Sequence, residues 1–155
     1  MSSFLFMCFL VSRLIFITPF LVEGQSMEPT MKDREIFLID RNIHQGDIKR
    51  GDIIVFSFDG QYYYVKRVIG MPGDTIRTKD DQVDLKTAAD GVYKNLLEPY
   101  LAGKKFYYGD ERFFLVPESD QYFVMGDNRA HSKDSRSFSY PFVKLDQIYG
   151  RYIYP

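Results

Sequence analysis

Along most of the chain, short apolar stretches alternate with clusters of Gly, Pro, Asp and Asn. That spacing predicts strands joined by turns rather than long helices. Residues 35–40 (EIFLID) form the first clear strand candidate, and Lys49-Arg50-Gly51-Asp52 turns the chain into a second at residues 53–58. Asp59-Gly60 is a hairpin signal, so residues 61–69 pair back on that strand. Pro72-Gly73-Asp74 is a further turn, leading to a short strand at residues 75–78. Residues 79–112 are more polar and irregular, with a short helix expected at residues 88–97. Strands at residues 112–116, 121–125 and 147–154 complete the pattern. No internal repeat or low-complexity linker interrupts it. The expectation is a mostly β, compact antiparallel domain over residues 22–155, sandwich-like or barrel-like.

The start of the chain breaks this pattern. Residues 4–22 are almost all apolar, interrupted by Ser12, Arg13, Thr18 and Pro19. A membrane helix needs about 20 apolar residues to cross ~30 Å of hydrocarbon. The whole stretch is long enough but carries Arg13 in its middle, where an arginine costs at least about 2.5–3.5 kcal/mol. Three readings compete. Residues 1–21 are an uncleaved anchor with Arg13 near the outer interface, a cleaved secretion signal, or a buried strand or helix of a soluble domain. A cleavage site of A-x-A type is missing before Ser26. The anchor is the reading adopted. Pro19 ends any helix near Ile17, and residues 20–24 read as a strand running toward Ser26.

Composition narrows the function. Aromatic residues are 17% of the chain, which favours β structure. The net charge of −1 implies no basic face and argues against nucleic acid as a partner. One cysteine, Cys8, cannot form an internal disulfide, and two histidines, His44 and His131, are too few for a typical zinc site. No cofactor is expected.

Three short blocks carry the candidate chemistry. The first is Ser26-Met27-Glu28-Pro29-Thr30, where Gly24 lets the chain bend and Pro29 fixes its exit. On its own Ser26 reads as an ordinary turn residue. The second surrounds Lys66. Strand alternation puts Tyr62, Tyr64, Lys66 and Val68 on one face and Tyr63, Val65, Arg67 and Ile69 on the other. Lys66 thus stands on an aromatic and apolar face, where desolvation lowers its pKa. A neutral amine there could take the proton of Ser26; a lysine snorkelling to water could not. The third block is Gly126-Asp127-Asn128-Arg129-Ala130-His131-Ser132-Lys133-Asp134-Ser135-Arg136. In it Ser132 could bond the lysine amine, Asp134 and Arg136 could pair, and His131 is a rival general base. A serine with a lysine base is one of the convergent solutions to acyl transfer.

Taken together, in this order and with Ser26 and Lys66 forty residues apart, the blocks resemble those of the type I signal peptidases (leader peptidases), most of all the small Gram-positive enzymes. Further matching stretches are Glu98-Pro99-Tyr100-Leu101, Val116-Pro117-Glu118 and Ile148-Tyr149-Gly150-Arg151. The resemblance implies a signal-peptidase-like β-rich catalytic domain outside the cell membrane, held by a single span, that removes signal peptides from exported preproteins. It implies Ser26 as nucleophile, Lys66 as general base, Ser132 as the residue orienting the amine, and Asp134–Arg136 as a supporting pair. Small residues at the first and third positions before the cut would enter pockets near Phe20, Val22, Gly24, Met27, Met31, Tyr64 and Val65. Preproteins and membrane lipid are the implied partners, and no metal or organic cofactor is implied. Gly24 stands where some relatives carry a hydroxyl that donates to the oxyanion, so the Ser26 N–H is expected to be the main donor. Two other classes remain open from the sequence: a self-cleaving Ser–Lys repressor, for which no helix-turn-helix precedes Ser26, and a non-catalytic membrane-tethered paralogue that binds preproteins or an active peptidase.

Overall fold

A computed structural model describes residues 16–153 except residues 81 and 105. Its strands are β1 (Ile17–Leu21), β2 (Ile36–Asp40), β3 (Ile53–Ser57), β4 (Tyr63–Gly70), β5 (Thr75–Lys79), β6 (Gln82–Lys86), β7 (Tyr93–Asn95), β8 (Arg112–Leu115), β9 (Gln121–Met125), β10 (Val143–Lys144) and β11 (Ile148–Tyr152). They form a seven-stranded sheet in the order β1-β2-β11-β3-β4-β9-β10 and a four-stranded sheet in the order β7-β6-β5-β8. Every pairing is antiparallel. The mostly β, antiparallel expectation therefore holds.

The large sheet buries a different cluster on each face. Alternation along β4 sends Val65 to a cluster with Val22, Met27, Met31, Phe37 and Val55. Tyr64 and Val68 go to the opposite cluster, with Ile54, Phe56, Tyr122 and Val124. A third cluster joins the sheets: Ile69, Phe123 and Met125 of the large one pack with Ile76, Leu85 and Phe114 of the small one and with Val116, just past β8.

β6 and β10 form where the sequence reading expected no strand, and two further differences concern the start of the chain and residues 88–97. The strand expected at residues 20–24 begins earlier, at Ile17, because β1 pairs with β2 from Ile17↔Asp40 to Leu21↔Ile36. β1 thus occupies the last five residues of the expected anchor; residues 1–15 of that segment lie outside the described residues. Among the described residues no helix is long and apolar enough to cross a membrane. The second difference is at residues 88–97, where no helix forms. Gly91 takes a φ of +65°, which stops a helix. Val92 and Tyr93 favour a strand, and β7 finds a ready partner in β6, with Lys86↔Tyr93 and Asp84↔Asn95 paired.

Candidate active site

Ser26 is held in its turn from both ends. On the strand side, Val22 and Arg34 continue the β1–β2 ladder, with Val22 N–H donating to Glu35 O at 2.9 Å and Arg34 N–H to Val22 O at 2.9 Å. The chain then bends at Gly24, whose φ is +92° and whose N–H donates to Asp33 Oδ1 at 2.7 Å. Met27 is wholly buried beside Val22 and Met31, which anchors the residue after the serine. On the other side, Asn128 clasps the turn twice. Its backbone N–H donates to Ser26 O at 3.0 Å, and its side-chain Nδ2 donates to Gln25 O at 3.0 Å.

Lys66 meets this serine directly. Its Nζ lies 2.7 Å from Ser26 Oγ and donates to Val65 O at 2.7 Å. Only 3% of Lys66 is exposed. Burial pushes its pKa down to about 8, against the charges of Asp134 and Asp127, which raise it. The sequence expectation of a desolvated amine is met. The other candidate base is elsewhere: the His131 ring is exposed and its nearest polar contact is Asn128 Oδ1, at 3.4 Å from Nδ1.

The third block forms a buried frame behind the pair. Asp134 accepts from Arg136 Nε at 2.8 Å, Arg136 Nη2 at 2.8 Å and the Gly126 N–H at 2.9 Å. Burial pushes the Asp134 carboxyl up, but the hydrogen bonds and charge of Arg136 and the Gly126 N–H outweigh it and hold the group below its ordinary value. Arg136 also donates to Arg129 O at 2.9 Å, which closes the loop on itself. Ser132 does not bond Lys66. Its Oγ is the buried side-chain atom without a hydrogen-bond partner among the described residues. It lies near the Asp134 carboxylate and favours its ionised form, short of hydrogen-bond geometry. Gly126 is what lets the pieces meet: a Cβ there would stand 2.2 Å from Ser132 Oγ and 2.4 Å from Ser26 O.

Sequence reasoning missed a second layer of charge. Arg67 and Asp127 form a buried bidentate pair, with Nε–Oδ1 at 2.9 Å and Nη2–Oδ2 at 2.6 Å. Thr30 donates its hydroxyl to the same carboxylate. The Arg67 guanidinium lies 4.0 Å from the centroid of the Tyr100 ring. Tyr100 donates to Glu98 Oε1 at 2.7 Å, and Glu98 pairs with the buried Arg129. A signal did exist: Arg67 falls on a strand with apolar neighbours on both faces, and a charge so placed needs a partner.

Ser26 and Lys66 open into a cleft of about 400 Å³, between residues 20–23 on one wall and residues 61–66 on the other. Of the residues expected to meet substrate, Phe20, Val22, Tyr64 and Val65 line it. Met27 and Met31 lie beneath, in the same cluster as Val22 and Val65, and form the floor rather than the lining. Gly24 sits in the turn and is not part of the wall. Among the described residues both walls carry free strand edges. β1 has β2 as its one neighbour, and β9 joins β4 only from Arg67↔Met125 onward, so Tyr63–Lys66 has a strand on one side alone. Among the described residues no group of His, Cys, Asp or Glu is placed to hold a metal ion.

A serine hydroxyl bonded to a desolvated lysine amine, at the end of a cleft edged by unpaired strands, is the working arrangement of a serine–lysine peptidase. Comparison with known proteins identifies relatives of the chain. The family model described as signal peptidase, peptidase S26, matches residues 1–155. A signal peptidase I of Bacillus amyloliquefaciens is 39% identical over 146 residues, covering 89% of this chain and 75% of the relative. Signal peptidase I U of Bacillus subtilis (strain 168) is 42% identical over 133 residues, covering 81% and 68%. The crystal structure of a signal peptidase I from Enterococcus faecalis V583 superposes with a TM-score of 0.53 at 35% identity, covering 67% of this chain and 95% of that one. The chain belongs to the signal peptidase family, peptidase S26.

Proposed function

We propose that this protein is a signal peptidase I that removes signal peptides from exported preproteins, with Ser26 as nucleophile and Lys66 as general base. The observation that carries the reading is the 2.7 Å contact between Lys66 Nζ and Ser26 Oγ, made by an amine whose pKa burial lowers to about 8. Near neutral pH a useful fraction of that amine is unprotonated, which an ordinary lysine at about 10.4 would not be.

The reaction has two steps. Lys66 Nζ takes the Ser26 hydroxyl proton as Oγ attacks the carbonyl carbon of the residue before the cut. The tetrahedral intermediate collapses, the C–N bond breaks, and Lys66 returns the proton to the leaving amine. Lys66 then deprotonates a water that attacks the ester, and Ser26 leaves with that proton. The Ser26 N–H has no acceptor among the described residues and is free to donate to the oxyanion. Asp134 and Arg136 hold the loop, and Ser132, with its hydroxyl unsatisfied, is the group that bonds the amine as it becomes charged.

The signal-peptide end adds as a strand between β1 and β4, which suits an extended, unfolded segment. Small side chains at the first and third positions before the cut would rest on the packed cluster of Val22, Met27, Met31 and Val65. The proposed location is the cell membrane, with an anchor ahead of β1 and the catalytic domain on the extracytoplasmic side. Two features support it: the apolar residues 4–22, and Leu21, Ile36 and Leu38 exposed on the β1–β2 hairpin. Membrane lipid is then a second partner.

The test is mass spectrometry of a secretory preprotein incubated in detergent with this protein and with its Ser26→Ala variant. The expected result is a cut after a small-x-small site that vanishes in the variant. A folded wild type that cuts nothing would instead favour a membrane-tethered module that binds preproteins without processing them.

A further inference from the structure

A second groove, of about 410 Å³, lies against the cleft. Tyr64 and Lys133 line both cavities, so the two adjoin across these side chains. The groove is aromatic. Tyr64 packs on Phe138 at 5.5 Å and on Phe58 at 5.9 Å between ring centroids, and Tyr140 also lines the groove. Phe58 and Tyr140 are 41% and 48% exposed, so these rings form an open wall rather than a filled core. Lys133, also exposed, has no carboxylate partner within salt-bridge distance among the described residues.

This groove lies on a definite face of the sheet. Val65 points to the Val22–Met27–Met31 cluster and Tyr64 to the Phe56–Phe138 side. A peptide added to the free edge of β4 continues that pleat, so its successive side chains also point to opposite faces. If the first and third residues before the cut face Val22 and Val65, the second must face Tyr64. We propose that the groove between Tyr64, Phe138, Tyr140 and Lys133 is a specificity pocket for the side chain of the middle residue of the small-x-small site. The inference rests on the proposed strand addition in the cleft. The pocket suits a large aromatic side chain, which would gain an edge-to-face contact with Phe138 or Tyr140. The unpaired Lys133 ammonium favours an acidic side chain over a cationic one.

The experiment uses the full chain in detergent and four substrate peptides that differ only at this middle position, as Ala, Phe, Glu or Lys. Their kcat/KM values are compared within each enzyme, so any loss of active fraction cancels. For the wild type, Phe should exceed Ala by roughly tenfold, and Glu should exceed Lys by about threefold. Lys133→Glu should reverse the order of Glu and Lys. Tyr140→Ala should shrink the Phe-to-Ala ratio. Equal rates for the four peptides, or a Glu-to-Lys order unchanged in Lys133→Glu, would overturn the pocket while leaving the peptidase reading in place. No Ser26-dependent cleavage of any of the four would overturn that reading and the pocket with it.

Discussion

Among the described residues, Lys66 keeps its amine almost wholly buried with one hydroxyl and one carbonyl for company, and no carboxylate bonds it. The charges that act on it, Asp134 and Asp127, are committed to Arg136 and Arg67. Desolvation therefore wins, and the pKa falls from 10.5 to about 8. The sign for activity follows from the neutral amine being the base. The logarithm of kcat/KM should climb by about one per pH unit below 8 and level off above it, read from initial rates of peptide cleavage between pH 5.5 and 9.5. The sign for stability is the opposite of that for a paired lysine. Between the folded value of about 8 and the unfolded 10.5 the unfolded chain binds more protons, so stability rises with pH across that window. Below 8 the buried charge costs about 3 kcal/mol in full. Lys66→Met should be inactive yet melt above the wild type at pH 6, with the gap closing by pH 10. A variant that melted well below the wild type at pH 6 would show the ammonium to be a stabilising ion. The lysine was legible because alternation alone placed it beside Tyr64 and Val68. The unpaired state of Ser132 was not, since a hydroxyl's partners depend on a loop whose path no local pattern encodes.

The elements that frame the site are short, and the way they hold together was only half readable. Strands β2, β3, β4, β8 and β9 follow turn residues and period-2 alternation closely. The segment at residues 88–97 did not, because the β6 edge decides its conformation and local helix preference does not. The same holds for the 3-10 turn Pro99–Leu101. Nothing in Glu98-Pro99-Tyr100-Leu101 by itself shows that its acid reaches across to the catalytic loop. Yet Glu98 neutralises Arg129, whose side chain is 0% exposed, and Tyr100 bridges Glu98 to Arg67. Removing the acid leaves a buried guanidinium without its counter-charge, a change that costs about 3–5 kcal/mol. Glu98→Ala should therefore lower the melting temperature by roughly 10 °C. Lys94→Ala breaks an exposed pair with Asp90 and should leave it unchanged. Calorimetry of the two variants separates a buried tie from a surface one, and equal melting temperatures would contradict the role assigned to Glu98.

Across the whole molecule, the cluster that fastens the two sheets is distinct from the cluster beneath the cleft. Stability and catalysis should then separate when each region is wedged by a single methyl group. Gly70 lies where the sheets meet, and a Cβ there would stand 2.9 Å from Val116, 3.0 Å from Ile76 and 3.0 Å from Phe123. Gly70→Ala forces those side chains apart, which costs about 1–3 kcal/mol for an overpacked core. Val22, Met27, Met31 and Val65 are not in that cluster, so the folded fraction should keep the wild-type pH–rate profile. Gly126 presents the reverse case. Its Cβ would strike Ser132 Oγ and the Ser26 carbonyl, one of them a backbone atom that Asn128 already holds. The turn carrying the nucleophile must shift to admit it, and a displacement of even ~1 Å at a reacting group can cost about 100-fold in rate. Gly126→Ala should thus lose far more activity than Gly70→Ala, measured as kcat/KM per folded molecule well below either melting point. If both variants lost activity in proportion to their loss of stability, the two clusters would be acting as one core. The cleft would then depend on the packing between the sheets rather than on the turn at Ser26.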